Sequence, residues 1–133
     1  MEGSCACGTI TYRAGEPLQF VNCHCNLCRS INGSAFSSYV VVKADAVDLS
    51  GSQELQGYTA TDRSTKHFCS KCGTPVYNSN PATYPGLIML YLGTLANAHD
   101  LKAGINIFCS SKLSWVDGLA SQPGFPEAPQ RGA

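Results

Sequence analysis

The sequence predicts a mainly β fold, on three observations. Short stretches alternate apolar with small or polar residues, as at Thr9-Ile10-Thr11-Tyr12-Arg13 and again at Ile105-Asn106-Ile107, which is the two-residue period of a half-buried strand. Runs rich in β-branched, aromatic and other apolar side chains occur at Tyr39-Val40-Val41-Val42 and at Leu87 to Leu92, the second bounded by Gly86 and Gly93. Helix-period patterning is scarce throughout.

Taken in order, a strand is expected at 9–13, closed by the turn residues Gly15 and Pro17. A second strand through Leu18, Phe20 and Val21 leads into a cysteine-rich stretch. If the backbone stays extended there, Cys23 and Cys25 face one way and His24 the other. A polar, glycine-bearing loop follows from Arg29 to Ser34, then a strand at 35–42. Residues 43–46 read as a short helical turn, and 47–49 and 55–58 as strands around Gly51. Beyond an exposed turn at 59–65, Lys66-His67-Phe68 carries the chain into the third cysteine cluster, and strands follow at 75–78 and 87–92, separated by turns at Asn80-Pro81 and Tyr84-Pro85-Gly86. His99 belongs to a surface loop. Residues 105–110 form the last strand, with Cys109 read as a buried, inert thiol. The tail from Gln122, with Pro123, Pro126 and Pro129, is expected to be extended. The division is therefore one domain at 1–121 and a proline-containing tail at 122–133.

With 133 residues and 44% hydrophobic content the chain can bury one modest core. The first residues, Met1-Glu2-Gly3-Ser4-Cys5, show neither the basic nor the apolar region of a secretory signal, and the run 87–92 is too short to span a bilayer. A soluble cytoplasmic protein is expected, with 87–92 offering a homodimer surface if exposed.

Seven of the eight cysteines fall into clusters of two, three and two: Cys5-Ala6-Cys7-Gly8, Cys23-His24-Cys25-Asn26-Leu27-Cys28 and Cys69-Ser70-Lys71-Cys72-Gly73. Disulfides between such near neighbours would be strained, whereas thiolates this close converge readily on one ion. A closed structural zinc takes four protein ligands and an open one three, so seven thiols divide naturally into four plus three. One zinc with free thiols, or an iron–sulfur cluster, fits the same spacing. Glycine directly follows both Cys7 and Cys72, and this repetition marks the two pairs as equivalent halves of one site. His24 reads as a neighbour of the metal rather than a ligand. The formal charge is zero. Counting seven thiolates and two zinc ions brings it to about −3, which disfavours a nucleic-acid partner.

In their order and spacing, Cys5-Ala6-Cys7-Gly8, Cys23-His24-Cys25-Asn26-Leu27-Cys28-Arg29 with Gly33-Ser34-Ala35-Phe36, Phe68-Cys69-Ser70-Lys71-Cys72-Gly73 and Ser111-Lys112-Leu113-Ser114-Trp115 resemble the glutathione-dependent formaldehyde-activating enzyme family, which also includes centromere protein V. The resemblance implies a compact β-tent zinc fold of small antiparallel sheets. It implies a structural zinc on Cys5, Cys7, Cys69 and Cys72 and a second zinc, the catalytic one, on Cys23, Cys25 and Cys28.

The function this implies is a zinc-dependent carbon–sulfur lyase acting on a thiol–aldehyde adduct. Its family model is the reversible formation of S-hydroxymethylglutathione from glutathione and formaldehyde, so glutathione or a similar thiol is the expected co-substrate. Arg29 and Lys112 are candidates for the carboxylates of such a ligand, against a reading as solvated surface charges. Trp115 is a candidate pocket wall, against a core reading. No general base stands out. The rival readings are a non-catalytic zinc-binding interaction module and a redox or zinc-storage protein.

Overall fold

The computed structural model describes residues 1–102 and 104–130. Its backbone is mainly β, and among the described residues the strands form two sheets. The smaller is antiparallel: β1 (Glu2–Ser4), β2 (Thr11–Ala14) and β5 (Val47–Ser50), in the order β1-β2-β5.

The larger sheet has seven strands. β3 (Gln19–Cys23), β4 (Ser37–Lys43), β6 (Leu55–Thr59), β7 (Thr65–Cys69), β8 (Pro75–Ser79), β9 (Leu87–Tyr91) and β10 (Ile105–Ile107) lie in the order β10-β3-β4-β9-β8-β7-β6. Every pair is antiparallel except β10 with β3. That parallel register sets Asn106 beside Asn22 and Ile107 beside Cys23.

The centre of the large sheet is its most apolar part. Val40 pairs with Leu90 and Val42 with Ile88 across β4 and β9; Val40, Val42, Val76 and Leu90 are fully buried and, with Ile10 just before β2 and Tyr12 within it, form one core. Truncating a residue such as Leu90 to alanine would cost about 2–5 kcal/mol. Cys5 and Cys69 belong to this same core. Cys23 and Cys28 belong to another cluster, with Tyr39 and Tyr91.

The backbone differs from expectation in two places. Extended structure stops at Cys23, and residues expected as a strand end and a polar loop form a helix, α1 (Asn26–Asn32). Its caps explain why so short a segment is helical. Cys25, in extended conformation, uses its Sγ to accept the N–H of Cys28 at 3.2 Å, and Gly33 ends the helix with a left-handed φ of 61°. The last strand ends early, because Phe108 takes a φ of 55° and turns the chain into a 3₁₀ turn over Cys109–Ser111. Cys109 is consequently exposed rather than buried. β9 lies mid-sheet, with Ile88, Leu90 and Tyr91 buried, as a largely buried strand is expected to be.

Residues 122–130 are exposed, and the last three of the predicted tail lie outside the described residues. Among the described residues no helix is long and apolar enough to cross a membrane.

Candidate metal centres

Two groups of sulfurs converge. Cys5, Cys7, Cys69 and Cys72 form one, and Cys23, Cys25 and Cys28 the other; within each group the Sγ atoms all lie within 4.8 Å of one another. A tetrahedral metal with bonds of about 2.3 Å separates its sulfurs by about 3.8 Å. The observed 3.6 Å for Cys5 to Cys7, 3.9 Å for Cys7 to Cys69 and 3.4 Å for Cys28 to Cys23 fit that edge. They are far from the roughly 2.05 Å of a disulfide.

The four-sulfur group is made by two turns of similar build. In one, Gly8 has a φ of 79° and donates its N–H to Cys5 O at 3.1 Å; in the other, Gly73 has a φ of 76° and donates to Cys69 O at 2.8 Å. Each is followed by a threonine whose hydroxyl lies 3.1 Å from the second sulfur, Thr9 beside Cys7 and Thr74 beside Cys72. These hydroxyls hold both thiols below the ordinary value, Cys72 at about 5. Ala6 N–H donates to Thr74 Oγ1 at 3.0 Å and locks one turn to the other. Cys5 and Cys69 are buried; Cys7 and Cys72 are exposed.

The three-sulfur group is local. Cys23 ends β3, Cys25 caps α1, and Cys28 sits one turn into the helix. Cys28 and Cys23 share a hydrogen bond, and the pair splits: Cys28 is held low, at about 5, by Cys23 first and by the Tyr39 hydroxyl as well. Cys23 is pushed up by the same bond and by burial. The Tyr39 hydroxyl lies 3.4 Å from Cys28 Sγ, and Tyr91 packs against Tyr39 with ring centroids 4.9 Å apart. Burial raises both tyrosines, so they stay protonated.

The family model for the glutathione-dependent formaldehyde-activating enzyme matches residues 1–111, both sulfur groups included. The chain belongs to this family. A Halomonas elongata relative, provisionally named glutathione-dependent formaldehyde-activating enzyme, is 26% identical over 128 residues, spanning 88% of this chain and 80% of its own length. The crystal structure of a Rhodobacter sphaeroides protein superposes with a TM-score of 0.62 at 22% identity, covering 80% of this chain and 98% of that one, and shows the shared fold.

Of the other residues predicted for this family member, His24 is nearly solvent-free at 1% exposure, with Nε2 3.0 Å from Asn106 Oδ1 and its ring against Phe36. Arg29 commits both terminal nitrogens internally: Nη1 donates to Ser111 O at 2.6 Å and to His24 O at 3.2 Å, and Nη2 to Asn26 Oδ1 at 2.6 Å. Ser111 Oγ also donates to His24 O, at 2.9 Å. The segment carrying Lys112 and Trp115 is thereby tied to the three-sulfur loop. Lys112 pairs with Asp117 at 3.0 Å. Trp115 is 48% exposed, so the core reading of that residue does not hold.

Sequence reasoning missed Tyr39 and Tyr91, which look in sequence like ordinary strand aromatics. The register of β4 against β9, which sets Tyr39 directly opposite Tyr91, brings the pair together. A depression of about 690 Å³ beside Tyr12, Arg13 and Asp48 is lined by no cysteine.

Proposed function

We propose that the protein is a zinc-dependent carbon–sulfur lyase acting on a thiol–aldehyde adduct, with reversible formation of S-hydroxymethylglutathione from glutathione and formaldehyde as its reaction. The three-sulfur group carries the reading. A zinc held by four cysteines is closed, whereas one held by three keeps a position for a further ligand. On this reading Cys5, Cys7, Cys69 and Cys72 hold a structural zinc, and Cys23, Cys25 and Cys28 hold the catalytic one, giving two per chain. The family to which the chain belongs and the name of its Halomonas relative support the choice of reaction.

Zinc bound at the open site lowers the pKa of a coordinating thiol and polarises a carbonyl oxygen. The chain's own residues set the conditions for this. Three thiolates give the centre excess negative charge, and Tyr39, kept protonated by burial, donates to Cys28 Sγ and withdraws part of it. The chemistry is redox-neutral: the thiol sulfur bonds to the aldehyde carbon, the C=O becomes C–OH, and the thiol proton ends on that oxygen.

Arg29 serves by orienting the loop, because its terminal nitrogens already bind His24 O and Ser111 O. Lys112 is assigned to a substrate carboxylate. Its present pair with the exposed Asp117 is worth about 0–1 kcal/mol and yields readily to a better partner. Trp115 is assigned as a wall of the pocket, in keeping with its exposure on the segment tied to His24. We assign residues 1–121 as one zinc-binding domain and 122–133 as its tail, with a reducing cytoplasm as the setting that keeps the thiols free.

Exchange NMR on formaldehyde mixed with several thiols is the test. Adduct formation and breakdown faster with protein than without is the expected result. No acceleration with any thiol overturns the enzyme and leaves the zinc-binding interaction module.

A further inference from the structure

Beside the three-sulfur group runs a crevice lined by the buried Cys28, Tyr39 and Tyr91 and by the less buried Leu27 and Ile31 of α1 and Lys66. Its enclosed part is about 20 Å³, room for roughly one water molecule. A carboxylate is costly to bury unpaired, so a ligand with an acidic group keeps it toward the less buried side, the mouth of the crevice.

Lys66 stands there. Its Nζ is partly buried and donates to Ile31 O at 2.8 Å, the carbonyl one helical turn beyond Cys28, about 4.5 Å along the axis. The ion pairs among the described residues are Arg13 with Glu2 and Lys112 with Asp117, so Lys66 has no carboxylate partner within them. A partly buried cation without a counter-charge is costly unless something supplies one. Asn78 lines the same crevice. Its Oδ1 accepts from Ser64 Oγ at 3.0 Å, which leaves the amide N–H groups as donors.

We infer that this crevice mouth is a carboxylate subsite, in which Lys66, with Asn78 beside it, binds the acid group of a thiol whose sulfur reaches the Cys23, Cys25 and Cys28 centre. The inference rests on the proposed function and narrows it: the substrates are thiols bearing a carboxylate at short range, and neutral thiols are discriminated against. The competing role for Lys66 is structural, as a cation capping the last turn of α1.

Calorimetric binding of reduced glutathione and of 2-mercaptoethanol to the zinc-loaded protein separates the two roles. Lys66→Met is expected to weaken glutathione about tenfold or more, the loss of one charge-assisted contact, and to leave 2-mercaptoethanol unchanged. Lys66→Arg, which keeps the charge, should hold glutathione within a few-fold of wild type. The inference is overturned if both thiols weaken together, if glutathione is unaffected by Lys66→Met, or if wild type does not bind glutathione. Because the readout is binding, a charge-selective loss in a protein that accelerates no reaction would uphold the subsite and reject the lyase.

Discussion

The two sulfur groups use the same donor in opposite ways. The four-sulfur group joins turns 62 residues apart, from Cys7 to Cys69, and places two of its sulfurs in the main core. The three-sulfur group is drawn from six consecutive positions and sits in a cluster of its own, against Tyr39 and Tyr91. A distant set of ligands closes a long loop and so constrains the unfolded chain, whereas a local set constrains almost nothing beyond its own turn. The first is suited to holding the fold, and the second can give a position to substrate without endangering it.

The sharpest way to break this contrast is to remove one sulfur from each. Cys69→Ser should abolish cooperative folding, because it deprives the core of a buried ligand and the small sheet of its tie to β7. A cooperative thermal transition by circular dichroism, at the wild-type temperature, would remove the four-sulfur group from its stabilising role. Cys25→Ser should reduce zinc from two per chain to one by elemental analysis, while the melting temperature moves by only a few degrees. One zinc in both proteins would leave no separable open centre.

The smallest effects come from the hydroxyls that serve each group. Thr74→Val removes the group beside Cys72 Sγ and Ala6 N–H, and Tyr39→Phe the one beside Cys28 Sγ. Each change is expected to lower metal affinity about fivefold, the worth of the one hydrogen bond to sulfur that it removes, at its own group alone. In the cobalt-loaded protein the sulfur-to-metal absorption bands of the two groups report this separately. Bands that shift together would show that the centres are coupled through the core.

Much of this arrangement was legible beforehand. The mainly β character follows from alternation, and the pairing of Cys5-Ala6-Cys7 with Cys69-Ser70-Lys71-Cys72 was signalled by Gly8 and Gly73, whose positive φ the turns do require. The helix α1 was hidden because it is seven residues long and starts on a thiol cap, which no side-chain period announces. Arg29 read as a free cation because its acceptors are carbonyls of His24 and Ser111, and carbonyls leave no trace in a sequence. The exposure of Cys109 turns on a single left-handed residue, Phe108, that alternation cannot foresee. The tyrosine pair and the crevice depend on long-range register, which local pattern does not encode.

The spacing of the ligands also imposes an order of events during synthesis. The three-thiol stretch is complete once residue 28 has left the ribosome, whereas the four-sulfur set must wait for residue 72. At about 5–20 residues per second the gap is roughly 2–9 s. Throughout that interval the nascent chain presents five thiols, two of them from a group that cannot yet close, so a metal ion arriving then would meet the local three-sulfur group before the four-sulfur one can assemble.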